Sequence, residues 1–365
     1  MNAQTPLFTV HKQLKAKIVP FAGWMMPVSY EGVLVEHKAV RESCGIFDVS
    51  HMGELFVSGP DSLKYLQHLT INDVSRLAIG GGQYTAILHE NGGMIDDLIL
   101  YRLAQEEYLI CMNASNINKD SNWFLQHVHG FAVTVKDESE FWSQIAVQGP
   151  KSDQVIAQIF GQEFLRMDYM SIVQRKLYED NIWIARTGYT GESGFEIYLP
   201  NNTAVTLWNL LLTTDVEVKP CGLGSRDTLR LEACYLLYGN DMNDDVSPLE
   251  AGIGWATKLT KDNFIGKNAL VAQKEAGILR QIFAFKMQDD GIPRHGMKVY
   301  MNEKVIGEVT SGSVLPTLGG AGGMALINAD GINQNTVIEI DIRGARKKAI
   351  ICKRPLYVAK TKKFN

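Results

Sequence analysis

Apolar residues recur at every second position through Phe195, Ile197 and Leu199, and this period of two predicts a strand with one face in a core. Between them stands Glu196, a carboxylate on a strand that otherwise reads apolar. The strand follows Arg186-Thr187-Gly188-Tyr189-Thr190-Gly191-Glu192-Ser193-Gly194, whose three glycines supply turn conformations that a Cβ hinders. Read alone, Glu196 is either a surface glutamate or a carboxylate delivered to a ligand. In the second case its two oxygens suit a ligand edge with two adjacent N–H donors, as in guanidines and aminopyrimidine-like rings.

The same patterning predicts strands over Tyr84–Leu88 and Met94–Leu103, joined by the turn His89-Glu90-Asn91-Gly92-Gly93 with Asp96-Asp97 just beyond it. A strand over Glu107–Met112 and a helix over Ser115–Val128 follow, with Asn113 and Asn116 at the junction, where asparagine commonly caps. Leu55-Phe56-Val57-Ser58-Gly59-Pro60-Asp61-Ser62 is echoed by Ile145-Ala146-Val147-Gln148-Gly149-Pro150-Lys151-Ser152, 90 residues later. Each copy reads strand, tight turn, helix. The helices are expected over Ser62–Leu69 and Ser152–Phe160 with the serines as early capping groups, and the echo points to a duplicated α/β element. A helix with Ser225 as N-cap and Arg226 at its start is expected in the segment Gly222–Tyr238. After Gly277 come short β-prone runs, Gln281–Met287, Met297–Tyr300 and Lys304–Thr310, as in a small all-β barrel or sandwich. The glycine-rich stretch Leu318–Gly323 lacks the lysine and Ser/Thr of a phosphate-binding loop and reads as a turn connection.

With 365 residues the chain has room for about two to three domains with substantial cores. Its 40 acidic and 36 basic residues, spread evenly, leave a net charge of −4 and no footprint for nucleic acid. Five cysteines without a C-x-x-C pair speak against a disulfide framework or a structural zinc and read as reduced thiols. No apolar run approaches the ~18 residues of a membrane span, and the N-terminus has neither a secretory nor a transit pattern. The expectation is a cytoplasmic protein with no membrane partner. His127 and His129 form a weak pair, no G-x-S-x-G elbow occurs, and no catalytic metal is expected. Asp96 and Asp97 point to opposite faces of a regular strand, so only one of them enters a pocket formed over a given face.

Together the segments resemble the T-proteins of the glycine cleavage system, the tetrahydrofolate-dependent aminomethyltransferases. The likeness spans nearly the whole chain, through Phe21-Ala22-Gly23-Trp24, Phe47-Asp48-Val49-Ser50-His51-Met52-Gly53, Gly92-Gly93-Met94-Ile95-Asp96-Asp97-Leu98, the turn before Glu196, Gly224-Ser225-Arg226-Asp227, Ser247-Pro248-Leu249-Glu250 and Gly307-Glu308-Val309-Thr310-Ser311-Gly312. The resemblance implies a three-lobed α+β fold. Two interleaved ferredoxin-like α/β lobes, residues 1–276, would hold folate, and a C-terminal β-barrel lobe would take residues 277–365. It implies transfer of the methylene carbon of an aminomethyl group, carried on the lipoyl arm of the H-protein, to tetrahydrofolate, with release of ammonia and the dihydrolipoyl arm. Carried over by motif, Asp96 is the catalytic carboxylate, Glu196 binds the pterin and Arg226 contacts the folate. Tyr84, Met52, Asn113, Tyr189 and Tyr235 line the folate channel. The pterin edge carries an amino group and a ring N–H side by side, the donor pair that Glu196 can accept. On this reading Asp96→Asn abolishes turnover and spares folate binding.

Two stretches depart from the family pattern. Leu315–Gly323 is more glycine-rich than usual, and the tail beyond Tyr357 leaves the family's late basic contact unplaced between Arg354 and Lys360. The alternatives are a folate-binding module without transferase activity and a folate-dependent demethylase of a small methylated compound. Relatives of the first kind carry Lys-Gly-Cys where this chain has Arg-Thr-Gly-Tyr-Thr-Gly-Glu.

Overall fold

The computed structural model describes residues 2–359, so Lys360 and the tail after it lie outside the described residues. Helix α1 (Phe8–Gln13), the hairpin β1 (Lys17–Phe21) and β2 (Trp24–Ser29), helix α2 (Val33–Glu42) and strand β3 (Cys44–Asp48) open the chain. A first unit then runs β4 (Gly53–Ser58), α3 (Ser62–Leu69), β5 (Gly82–Leu88), β6 (Met94–Ala104), β7 (Glu107–Met112), α4 (Ile117–Gln126), β8 (Thr134–Asp137). A second repeats the order as β9 (Trp142–Gln148), α5 (Ser152–Phe160), β10 (Ile172–Leu177), β11 (Asp180–Ala185), β12 (Gly194–Pro200), α6 (Ala204–Leu211), β13 (Val218–Pro220). The sequence echo therefore marks the first strand and helix of a longer structural repeat.

The sheets are ordered β5-β6-β7-β4-β8 and β10-β11-β12-β9-β3-β13. Strand β3 precedes the first unit in the chain but lies in the second sheet, antiparallel to β9 and parallel to β13. That crossing interleaves the two lobes. In both echoes the strand ends at a glycine with positive φ, +123° at Gly59 and +133° at Gly149, and the helix begins where the sequence predicts. The serines differ from expectation. The hydroxyls of Ser62 and Ser152 are buried without partners, and the turn closes instead through backbone bonds from Ser62 N to Gly59 O and from Ser152 N to Gly149 O, both 3.0 Å.

Each sheet buries one face under its own helices. Ile145, Val147, Phe195, Ile197 and Leu199 pack against Val155 and Ile156 of α5 and Leu207, Trp208 and Leu211 of α6. Leu55, Val57, Ile87, Leu98, Leu100 and Ile110 pack against Tyr65, Leu66 and Leu69 of α3 and Phe124 of α4. The two remaining faces turn toward each other, where Tyr101, Leu109 and Cys111 of the first sheet meet Ile172, Ala185 and Tyr198 of the second. Residues that a strand turns away from its helices are thus buried between the sheets, with Glu196 among them.

Beyond the sheets, α7 (Leu223–Glu232) and α8 (Lys267–Ala276) lead to β14 (Arg280–Met287), β15 (Lys298–Met301), β16 (Lys304–Val314), β17 (Ala321–Asn328), β18 (Val337–Ile342) and β19 (Ala345–Cys352). These six strands close into a barrel in the order β14-β17-β16-β15-β18-β19 around Phe285, Val299, Val309, Ala325, Ile327, Ile340 and Ile351. The glycine-rich stretch only begins as a turn; Gly322 and Gly323 are strand residues of β17, paired with Lys286 and Phe285 of β14. Helix α7 starts at Leu223, three residues earlier than expected, because Glu36 of α2 accepts the Gly222 amide at 2.8 Å and takes the place of a serine cap. No helix among the described residues is long and apolar enough to cross a membrane.

Candidate active site

The space between the sheets gathers the polar residues that the helix-covered faces reject. Glu196 pairs with Ala146 on β9 and Ala185 on β11, two small neighbours that leave room beside its carboxylate. It is 8% exposed, and Thr187 donates to its Oε2 at 2.6 Å. The Tyr101 hydroxyl lies 3.0 Å from the Thr187 hydroxyl, so with Thr187 donating onward Tyr101 donates to it and orders the carboxylate from behind. A surface glutamate is excluded.

The aspartates divide as the pleat requires, one to each face of β6. After an irregularity at the start of β6, Asp96 pairs with Ile87 and shares the helix-covered face with Leu98 and Leu100, at 0% exposure. Asp97 falls on the other face with Ile99 and Tyr101, toward the second sheet. There its Oδ2 accepts from the Tyr84 hydroxyl at 2.9 Å. The carboxylate in the interlobe space is therefore Asp97, while Asp96 stands behind it. Burial, and then the charge of Asp96, pushes the Asp97 carboxyl up to about 7.

Asn113 caps no helix. Its amide nitrogen bonds Asp96 Oδ1 and Asp97 Oδ1, each at 2.9 Å, and the Asp97 carbonyl at 3.1 Å, so one side chain holds both carboxylates at the end of β7. Arg226, in the first turns of α7, lays its guanidinium 4.8 Å over the Tyr189 ring, and its Nη1 is buried without a partner. The Tyr189 hydroxyl donates to Leu236 O, and its ring lies 5.8 Å from that of Tyr235. Asp97 and Arg226 both act electrostatically on Tyr189, which ties the two ends of the site together. Met52 sits in the turn between β3 and β4 and packs against both the interlobe core and the core beneath α7.

Four residues join the site that the sequence did not single out. His51, beside Met52, is buried with Nδ1 unpartnered; burial, with Arg226 adding to it, holds its imidazole down to about 4 and therefore neutral. Thr187 and Tyr101 hold Glu196. Tyr101 was accessible to a period-two count from Asp97 along one strand, whereas the Thr187 contact needs the fold. At the rim Trp255, 65% exposed, stacks on Tyr84 with centroids 5.8 Å apart and planes 23° from parallel. The interlobe side thus carries two carboxylates, Glu196 and Asp97, with aromatic rings and an unpaired guanidinium nitrogen of Arg226 nearby. Such an arrangement can take a flat ring with adjacent N–H donors and present a proton acceptor to chemistry at the ring's far side.

The chain as a whole is similar to known proteins. Residues 7–261 match the GCVT N-terminal domain and residues 280–357 the glycine cleavage T-protein C-terminal barrel domain. An aminomethyltransferase of Lysinibacillus sphaericus is 45% identical over 357 residues, 97% of each chain. One of Caldanaerobacter subterraneus is 43% identical over 363 residues, covering 99% of this chain and 97% of its own. Among solved structures, glycine cleavage system aminomethyltransferase T from Bartonella henselae superposes with a TM-score of 0.92 at 33% identity, covering 98% of this chain and 99% of that one.

Proposed function

The chain belongs to the aminomethyltransferase family of the glycine cleavage system, and from that premise we propose that its interlobe slot binds tetrahydrofolate, with Glu196 on the pterin edge and Asp97 at the reacting end. The observation that supports this reading is that Glu196 and Asp97 lie on the strand faces turned toward the opposite sheet, with Tyr84 donating to Asp97 and the Arg226 guanidinium over the Tyr189 ring. The residues fit the ligand. Thr187 leaves Glu196 with acceptor capacity for the paired pterin donors, and the unpartnered Arg226 Nη1 fits a carbonyl or carboxylate of the benzoyl-glutamate portion. Tyr84, Met52, Asn113, Tyr189 and Tyr235 line the channel on this reading.

Bound tetrahydrofolate supplies the nitrogens that receive the one-carbon unit, and a lipoylated H-protein is the proposed donor of the aminomethyl group. The chain's part is to orient and to manage charge. Asp97 stabilises positive charge at the carbon in transit and accepts a proton, which a carboxylate titrating near neutrality can also return. Tyr84 and Asn113 hold Asp97 from two sides, so its oxygens need no reorganisation during the reaction.

A reconstituted assay with aminomethyl-loaded H-protein and tetrahydrofolate, following ammonia and methylene-tetrahydrofolate together, tests the reading. Asp97→Asn is expected to lower turnover by roughly 100-fold or more, while Asp96→Asn at pH 8 stays within about tenfold of the parent enzyme. The reverse ranking would return the catalytic role to Asp96.

A further inference from the structure

Asp96 lies on the helix-covered face of β6 and is fully buried. Its Oδ1 accepts from Asn113, but its Oδ2 has no donor. On the neighbouring helix α4, Asp120 is at 0% exposure, and neither of its carboxyl oxygens has a donor. Helix α4 covers the face of β6 that carries Asp96, and the unpartnered oxygens of the two carboxyls are buried together there, each acting on the other. Two ionised carboxylates there would face one another with acceptors only, so the contact is favourable only with a proton between them. Burial and the contact with Asp96 push the Asp120 carboxyl strongly upward, which places that proton on its side of the pair.

We propose that Asp96 and Asp120 form a buried acid pair sharing one proton, and that the single negative charge of the pair, set against Asp97 by their common Asn113 amide, fixes the basicity of Asp97. This rests on the reading of Asp97 as the carboxylate at the reacting end. Asp96 and Asp120 are positioning residues. Asp96 acts through Asn113 and through the field at Asp97, and Asp120 acts through Asp96.

The other groups around the pair and Asp97 are few. Lys119, next to Asp120 on α4, donates to Ile95 O and the Tyr238 hydroxyl, and its charge opposes the upward push on Asp120 without cancelling it. Tyr238 feels Asp96, Asp120 and Asp244, and burial keeps it protonated. From β5 Tyr84 donates to Asp97, and across the slot Tyr189 and Arg226 complete the surroundings. Within this set Asp96 supplies the anionic charge that acts most strongly on Asp97. Without it Asp97 would be a weaker base, and a carboxylate that exchanges protons near neutrality would become one that stays ionised.

Isosteric variants separate charge from shape. In Asp120→Asn the amide donates to Asp96 Oδ2 and the charge stays beside Asn113. In the double variant Asp96→Asn/Asp120→Asn the same contacts persist and the charge is gone. Single-turnover rates with aminomethyl-loaded H-protein and tetrahydrofolate, measured from pH 5 to 9, should show the acid limb unmoved in Asp120→Asn. In the double variant it should move down by at least about one pH unit. A carboxyl 13C NMR titration of the ligand-free enzyme should show the same shift at Asp97, independently of turnover. An unmoved Asp97 titration in the double variant overturns the inference, as does an equal shift in both variants. A shifted titration with an unshifted rate profile would instead sink the role given to Asp97. Should the double variant fail to fold, Asp96→Asn against Asp120→Asn serves in its place. The first should shift the limb and the second should not, and identical behaviour would refute the pair.

Discussion

Two neighbouring aspartates occupy different worlds because a strand turns successive side chains to opposite faces. Asp97 looks into the slot, and Asp96 looks toward α4. The Asp-Asp step was visible in the sequence, and so was the rule that only one could enter a pocket. The face that would become the pocket was not visible, since it depends on which side of the sheet the helices cover. Glu196 is the simpler case, because its apolar neighbours Phe195 and Ile197 face α5 and α6 and leave it to the interlobe side. Glu196→Gln keeps the shape but replaces one acceptor by a donor against the pterin edge. The KM for tetrahydrofolate should rise about 10- to 100-fold, or ~1.5–3 kcal/mol, with kcat changed far less. A kcat loss at unchanged KM would move Glu196 from binding to chemistry.

Among the elements, those with strong local signals formed as expected. The strand Glu107–Met112 and the helices Ser62–Leu69 and Ser152–Phe160 appear with the predicted bounds. The caps diverged, because Glu36, 186 residues before Gly222, outcompetes Ser225 for the start of α7. The repeated turn is the element most exposed to substitution. At Gly149 φ is +133°, and an added Cβ would stand 2.4 Å from Ser43 O, a backbone atom that cannot step aside. Gly149→Ala should therefore destabilise the protein by about 2–4 kcal/mol in chemical denaturation. A loss below about 1 kcal/mol would mean the turn can relax, and that the glycine is not a structural requirement.

For the whole molecule, the lobes and the C-terminal segment are joined by a buried ionic knot. Arg41 of α2 bonds Glu192 and Glu232, each at 3.0 Å, and its guanidinium lies 3.9 Å from the centre of the Tyr357 ring. Tyr357 in turn donates to Glu192 at 2.7 Å, and Glu232 accepts the Thr317 amide at 2.7 Å. Burial alone would raise Glu232, but His37, Thr317 and Arg41 outweigh it and hold its carboxyl at about 2. The stabilisation it gives is thus present above its unfolded value of ~4.3 and lost only as the pH falls toward 2. Arg41→Ala leaves two buried carboxylates short of their cation. It should cost about 3 kcal/mol or more at neutral pH, as measured by urea unfolding. A change within about 0.5 kcal/mol would show that the knot is incidental to stability.

The sequence by itself determined the elements, the duplicated strand-turn-helix unit, the late barrel texture and the presence of a carboxylate at Glu196. These follow from periods of two and 3.6 and from glycine turns, which are properties of neighbours in the chain. Tertiary structure alone decided that β3 crosses into the second sheet, that the uncovered faces meet, and that Asp97 rather than Asp96 looks into the space between them. The physical reason is that a sheet's two faces are equivalent until helices bury one of them. Which face remains for the site is set by packing between segments far apart in sequence.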